Sequence, residues 1–439
     1  MSLRKCMGML LLVAVLAGCG AQYPADVSQV LVEAGQNRAE LEKVLNRFSE
    51  SGDSLKLKAA YYLIGNMSGH CYATYRLADT AGQEIPFNVL DFATFDDLTK
   101  GFDSLERVHG TLEFEKGERV NDIEVITADF LVGQIDCAFR AWREKPWAQK
   151  YSFDDFCSYI LPYRGSNEPL EDWRTPLWDK YAYVPGQMRD STDPLEAVGI
   201  INTDVRSWFT FDSRFYYHPT DQGLSEMQSG GLGRCEDMTN ASIYCMRANG
   251  LPITSDYTPY WADCGNNHAW NAVVTPDGKA IPFMGAEADP GNYGLFHKAA
   301  KIYRKMFGKS PGNLAFQTHK QDSVPRWLAG KSYRDVTAEY FDVCDVTVRL
   351  DRAVPDSVDI AYLCVFNTGE WKPIHWGRID HDSVTFTDMG PDIVYLPALY
   401  LNEEVVPWGV PFILGETDCS ILALAPQTDT ETGVLVDVT

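Results

Sequence analysis

Gly231-Leu-Gly-Arg-Cys235-Glu-Asp237 opens a breaker-free segment, and Asn266-Asn-His268-Ala-Trp270-Asn271 places a histidine thirty-three residues after the cysteine. The pattern reads as a cysteine at a helix N-terminus and a histidine at the head of a strand. Unpaired backbone N–H groups and the helix dipole favour a thiolate at such a position. An imidazole beside it can take the thiol proton and return it to a leaving group. The same N–H groups could hold the oxyanion of an acyl intermediate. Glu236 and Asp237 suit a first helical turn, and Asn249-Gly250 with Pro252 suits its end. Asp237 reads as a cap of that helix. Beyond it, 253–261 is rich in strand formers. His268 to Thr275, the turn Pro276-Asp-Gly278, and Ala280 to Met284 then read as a hairpin.

Outward from this block, Asp193 to Trp208 has the spacing of a helix leading toward the cysteine. Helices are also expected over 122–142, with Leu131, Ile135, Ala138 and Trp142 on one face, and over 153–161, ended by Pro162. Nearer the start, Asn37 and Glu40 form a capping-box pattern. Leu41, Val44, Leu45 and Phe48 follow as an apolar stripe. A second helix from about Leu55 completes a helical hairpin, while 70–120 gives no firm pattern. From about residue 336 the period changes to alternation, with short strands at 344–350, 360–366, 374–379, 383–387, 393–401, 410–414 and 419–424. This predicts an all-β sandwich. The fold class expected is therefore α+β. It has a signal segment at 1–18, a helical region at 19–120, a cysteine-helix-on-antiparallel-sheet core at 121–335 with its motifs in 195–290, and a β-sandwich at 336–439.

Arg4 and Lys5 precede an apolar run from Met7 to Ala17 that is too short to span a bilayer. It ends in Leu16-Ala-Gly-Cys19, which resembles the lipobox of bacterial lipoproteins. That resemblance implies cleavage before Cys19, lipid attachment to it, and a folded part held at a membrane by acyl chains. Gly20, rather than an acid, fits delivery to the outer membrane. The net charge of −23 argues against nucleic acid or anionic lipid surfaces as partners. Hydrophobic residues at 45% and aromatics at 12% allow large cores. Of eleven cysteines, loss of Cys6 and Cys19 leaves an odd number, so at least one stays free if the rest pair internally. Cys235 is the expected free thiol. No C-x-x-C pair or histidine cluster suggests a metal, and no cofactor is expected.

The cysteine and histidine motifs together resemble the transglutaminase-like superfamily, a papain-related group. Glu33-Ala-Gly-Gln-Asn37, Leu161-Pro-Tyr-Arg164 with Asn167-Glu168 and Trp173-Arg174, and the β tail are similar to Bacteroidetes lipoproteins that carry this core. The resemblance implies a Cys-His-Asp triad acting on amide bonds, with a peptide or protein as substrate. In it Cys235 is the nucleophile and His268 the proton carrier. Asn267, Trp270, Asn271 and Asp237 are candidate supports, and Gln228 a candidate oxyanion donor. The family acid ends the returning strand just before a proline. Here that strand ends Pro282-Phe-Met-Gly285, and the next acids are Glu287 and Asp289, the latter followed by Pro290. Glu287 is favoured slightly for its reach; Asp289 and a dyad without an acid stay open. Two functions compete: a lipid-anchored thiol hydrolase or acyl transferase of the cell envelope, and a catalytically inactive binding protein that keeps the cleft.

Overall fold

The described chain opens with a helical layer of α1 (Ala25–Glu33), α2 (Arg38–Glu50) and α3 (Ser54–Asn66). This is a computed structural model, and it describes residues 23–318 and 324–424. The signal segment and Cys19 lie outside those residues. Leu41, Val44, Leu45 and Phe48 are all buried on α2, as their spacing requires. The expected capping box does not close. Asn37 instead donates to the carbonyls of Ile123 and Ile126 at 3.1 and 3.0 Å, and Glu40 accepts from the Ala128 N–H at 2.8 Å. The two polar groups are drawn off by a long-range neighbour with unpaired backbone groups.

The segment that gave no firm pattern is an antiparallel pair, β1 (Cys71–Asp79) and β2 (Leu112–Asn121), with α4 (Phe95–His109) between its strands. Its strands are mostly exposed or half-buried, so no alternation marks them. Then α5 (Ala128–Glu144) lays Leu131, Ile135 and Ala138 into the same core as α2 and α3.

The central region joins α6 (Pro194–Trp208) and α7 (Cys235–Arg247) to a five-stranded antiparallel sheet. Its strands are β3 (Ile253–Thr258), β4 (His268–Val274), β5 (Ala280–Phe283), β6 (Tyr303–Lys305) and β7 (Tyr333–Asp335), in the order β5-β4-β3-β6-β7. Every residue of α7 except Glu236 is buried.

The C-terminal strands are β8 (Cys344–Arg349), β9 (Ile360–Asn367), β10 (Glu370–Asp380), β11 (Ser383–Met389), β12 (Ile393–Leu401), β13 (Glu404–Pro407), β14 (Phe412–Leu414) and β15 (Ile421–Ala423). They run β8-β11-β10-β9-β12-β14-β15, with β13 paired to β12. The anticipated sandwich thus takes the form of a curled sheet, a half-barrel. One face gathers Val346, Val348, Leu363, Phe386, Tyr395 and Phe412. The other presents Tyr362, Cys364, Leu396 and Ala398 to Tyr303, Leu328 and Tyr333 of the central region. Cys344 and Cys419 form a disulfide, and seven described cysteines, Cys235 among them, are free.

Candidate active site

The start of α7 is fixed by close packing. An added Cβ at Gly233 would lie 2.7 Å from the Asp237 Cβ and 2.8 Å from the Gln222 Nε2, so only glycine fits. Asp237 is fully buried and caps the helix, as expected: it accepts from the Arg234 N–H at 2.9 Å and the Gln222 N–H at 3.0 Å. Burial, set against the nearby Arg234 charge, raises its carboxyl pKa. Arg234 is held in turn by Asp221 at 2.7 Å and the His218 carbonyl at 2.9 Å. Gln228, the candidate oxyanion donor, is exposed on the preceding helix.

Cys235 is the first residue of α7 and is 9% exposed. The backbone N–H groups of Ala269 and Glu236 lie toward its sulfur. Ala269 follows His268, so the thiol sits against the head of β4. The sequence pointed to a lowered thiol pKa; the structure reverses that. Burial pushes it up first, the Glu236 carboxylate adds to this, and the two N–H groups and Arg234 offset only part. His268 is pushed down to about 4, by burial and then by His297. The resting pair is a neutral thiol and a neutral imidazole. The rate of iodoacetamide modification at Cys235 is therefore expected to keep climbing above pH 9. A plateau reached below pH 8, measured by mass spectrometry of the modified peptide, would instead indicate an ion pair.

The imidazole does not meet a carboxylate. Its Nε2 bonds the Tyr293 hydroxyl at 3.0 Å, and Trp261 stacks beside it at 6.0 Å. Burial raises the Tyr293 pKa, with smaller contributions from Glu287 and Cys235, so the phenol stays neutral. The two acids proposed from sequence make their bonds elsewhere. Glu287 is exposed, and Asp289 accepts from Asn202 at 2.9 Å and Arg206 at 2.8 Å. Neither bonds His268. The physical reason lies at Gly285. An added Cβ there would collide with Ser242 Oγ, Asn271 Oδ1 and the Met238 carbonyl of α7 and β4. The strand end presses on the helix where no side chain fits. Ala286 then turns the chain away at φ 60°. Gly285→Ala is expected to lower stability by about 1–3 kcal/mol through overpacking, read as a fall in thermal midpoint. An unchanged midpoint would mean that the helix and strand end can part without cost.

The supporting residues divide. Asn271 is buried and donates to the carbonyls of Thr239 and Thr254 at 3.2 and 2.9 Å, tying β4 to α7 and β3. Trp270 is buried and donates to the Tyr340 hydroxyl at 2.9 Å, which donates to Asp256 at 2.7 Å. Arg304 holds the same carboxylate at 2.8 and 2.7 Å. These are framework roles. Asn267 is exposed.

Sequence reasoning missed Tyr293 and Asn367. Asn367, 3% exposed at the end of β9, donates its amide to the carbonyls of Trp261, Cys264 and Asn266, each at 2.9 Å. The half-barrel thereby braces the loop that delivers His268. No local signal marks a residue a hundred positions away for this task. In that loop Asp263 and Cys264 approach His297, with their ligating atoms within 4.8 Å of one another. Among the described residues, this is the group that could hold a metal ion, and two of its three members are exposed.

A helix-end cysteine packed against the head of a histidine strand is the constellation of cysteine-based hydrolases and acyl transferases. Residues 181–283, which hold both Cys235 and His268, match the model of the transglutaminase-like superfamily. No curated protein matches the chain. The solved structure of a candidate cysteine protease from Cytophaga hutchinsonii is similar at 19% identity, over 29% of this chain and 42% of that one, with a TM-score of 0.22. The chain thus spans less than half of that protein's length. A likeness this local carries no argument about activity.

Proposed function

We propose that the protein is a thiol hydrolase or acyl transferase of the bacterial cell envelope, acting on peptide amide bonds and anchored by lipid on Cys19. The observation that carries this reading is the Cys235 sulfur, with the Ala269 and Glu236 N–H groups toward it, beside His268. With the tautomer in which His268 Nε2–H donates to the Tyr293 hydroxyl, Nδ1 is free to take the thiol proton. Cys235 then attacks the carbonyl carbon and forms a thioester as the amide C–N bond breaks. The imidazolium gives its proton to the departing amine. Water, or an amine in the transfer reaction, attacks the thioester, and the thiol is regenerated. The N–H groups at the start of α7 face the oxygen that becomes negative. The Cys344–Cys419 bond supports an oxidising compartment, in keeping with export.

One observation favours the second reading, a binding protein without turnover: among the described residues, no carboxylate bonds the imidazole. The test is incubation with a peptide-like thiol electrophile, followed by mapping of the labelled residue. Label on Cys235 in preference to the other free cysteines supports the enzyme. Label elsewhere, with Cys235 untouched, supports the binding protein.

A further inference from the structure

Acidic residues outnumber basic ones 61 to 38 in this chain. One cavity reverses that balance. It has a volume of about 700 Å³, and its described lining holds Arg119, Arg164, Arg247, Lys305, Arg326 and Lys331 with no Asp or Glu. Arg164 is satisfied from behind by Asp122 at 2.5 and 2.6 Å. Arg247 is buried and bonds only carbonyls, those of Ile253, Pro162 and Arg164. The buried Glu168 carboxylate offsets its charge, so the cavity's unmatched cations are those of the rim. Arg119, Arg326 and Lys331 are exposed at the cavity, and no described carboxylate forms an ion pair with them. On one side, His70 stacks on Phe307 at 4.2 Å, giving the lining a flat apolar element beside the cations.

One lining residue, Lys305, reaches the residue next to the thiol. Lys305 bonds Ser166 at 2.8 Å and forms an ion pair with Glu236, the residue after Cys235. Lys305 lies on β6, and Ala269, whose N–H lies toward the sulfur, lies on β4. Only β3 separates them. Two strand spacings are about 10 Å, the length of roughly three extended residues.

We propose that this cavity is a subsite for the carboxylate of an acidic peptide whose reacting amide lies at Cys235. The inference rests on the thiol reading above and specifies its substrate class. A concave surface rimmed by exposed cations without ion-pair partners attracts an oppositely charged group and orients it. The rim cations Arg119, Arg326 and Lys331 supply the attraction. An acidic residue about three positions from the reacting bond meets both requirements.

The experiment compares three peptidyl electrophiles that differ in one residue, glutamate, glutamine or lysine, placed about three positions from the reactive carbon. The second-order rate of Cys235 modification is read for each. The glutamate probe is expected to react about ten-fold faster than the glutamine probe, with lysine slowest, as charge-assisted contacts imply. The advantage should shrink in high salt. In an Arg326→Glu/Lys331→Glu variant it should vanish, while iodoacetamide modifies Cys235 at the wild-type rate. Equal rates for the glutamate and glutamine probes, or a preference that survives in the variant, would overturn the subsite. If neither iodoacetamide nor any probe labels Cys235, it is the thiol reading that fails. Calorimetry with an acetylated tri-glutamate amide then decides the cavity separately: binding lost in the variant upholds it, and no binding to the wild type rejects it.

Discussion

A Cys235→Ala variant is expected to lose all turnover on amide substrates and all covalent labelling by peptide-like electrophiles. His268→Ala is expected to keep the thiol but lower turnover by about 10²–10⁴-fold, the usual contribution of a positioned acid–base group. The two losses differ in kind because the residues supply different things. Cys235 forms the bond. His268, neutral above about pH 4, supplies the base that a thiol with a raised pKa requires. The wild-type rate should therefore hold its value down through mildly acid pH and fall only as the imidazole is protonated near that point. Intact-protein mass spectrometry and a pH–rate profile check both. Label that persists in Cys235→Ala would move the nucleophile to another thiol, with half-buried Cys264 the first to examine.

The second large effect is expected at Tyr293. Tyr293→Phe keeps the ring and removes the hydrogen bond that, among the described residues, fixes the imidazole. Leaving a largely buried ring N–H unpaired costs about 1–3 kcal/mol, which is roughly a ten- to hundred-fold loss in turnover. Glu287→Gln should matter less, because this exposed carboxylate acts on His268 only through the Tyr293 phenol. Asp289→Asn should lower stability through its contacts with Asn202 and Arg206 and leave turnover nearly unchanged. Measuring turnover and melting temperature on all three variants separates the roles. If Glu287→Gln proves as damaging as Tyr293→Phe, the carboxylate works through the phenol as a third member. If Tyr293→Phe is silent, another group orients the ring.

Much of this was legible along the chain. The run from Cys235 to Arg247 starts and stops as a helix because its acids, its Asn249-Gly250 end and its freedom from breakers are local features. The hairpin after His268 announces itself through Pro276-Asp277-Gly278, and Gly278 does take a positive φ of 82°. The alternation from Cys344 onward marks strands because one face of each meets the core. Such properties depend on neighbours within a few residues, and the sequence contains them whole.

The third partner of the imidazole was not legible in that way. Glu287 and Asp289 stand at sensible distances along the chain, yet a glycine contact with α7 and a left-handed Ala286 send both away from the ring. Tyr293 reaches the ring from a loop without regular structure. The protonation state of Cys235 was likewise decided in three dimensions. A helix terminus favours a thiolate, but burial beneath the sheet and the Glu236 charge outweigh it. The sequence by itself determined the helix that starts at Cys235 and the strand that starts at His268, since these follow from short-range periodicity and turn chemistry. The tertiary structure alone decided which groups surround that pair and what charge it carries, because packing distance and desolvation are properties of residues brought together from far apart.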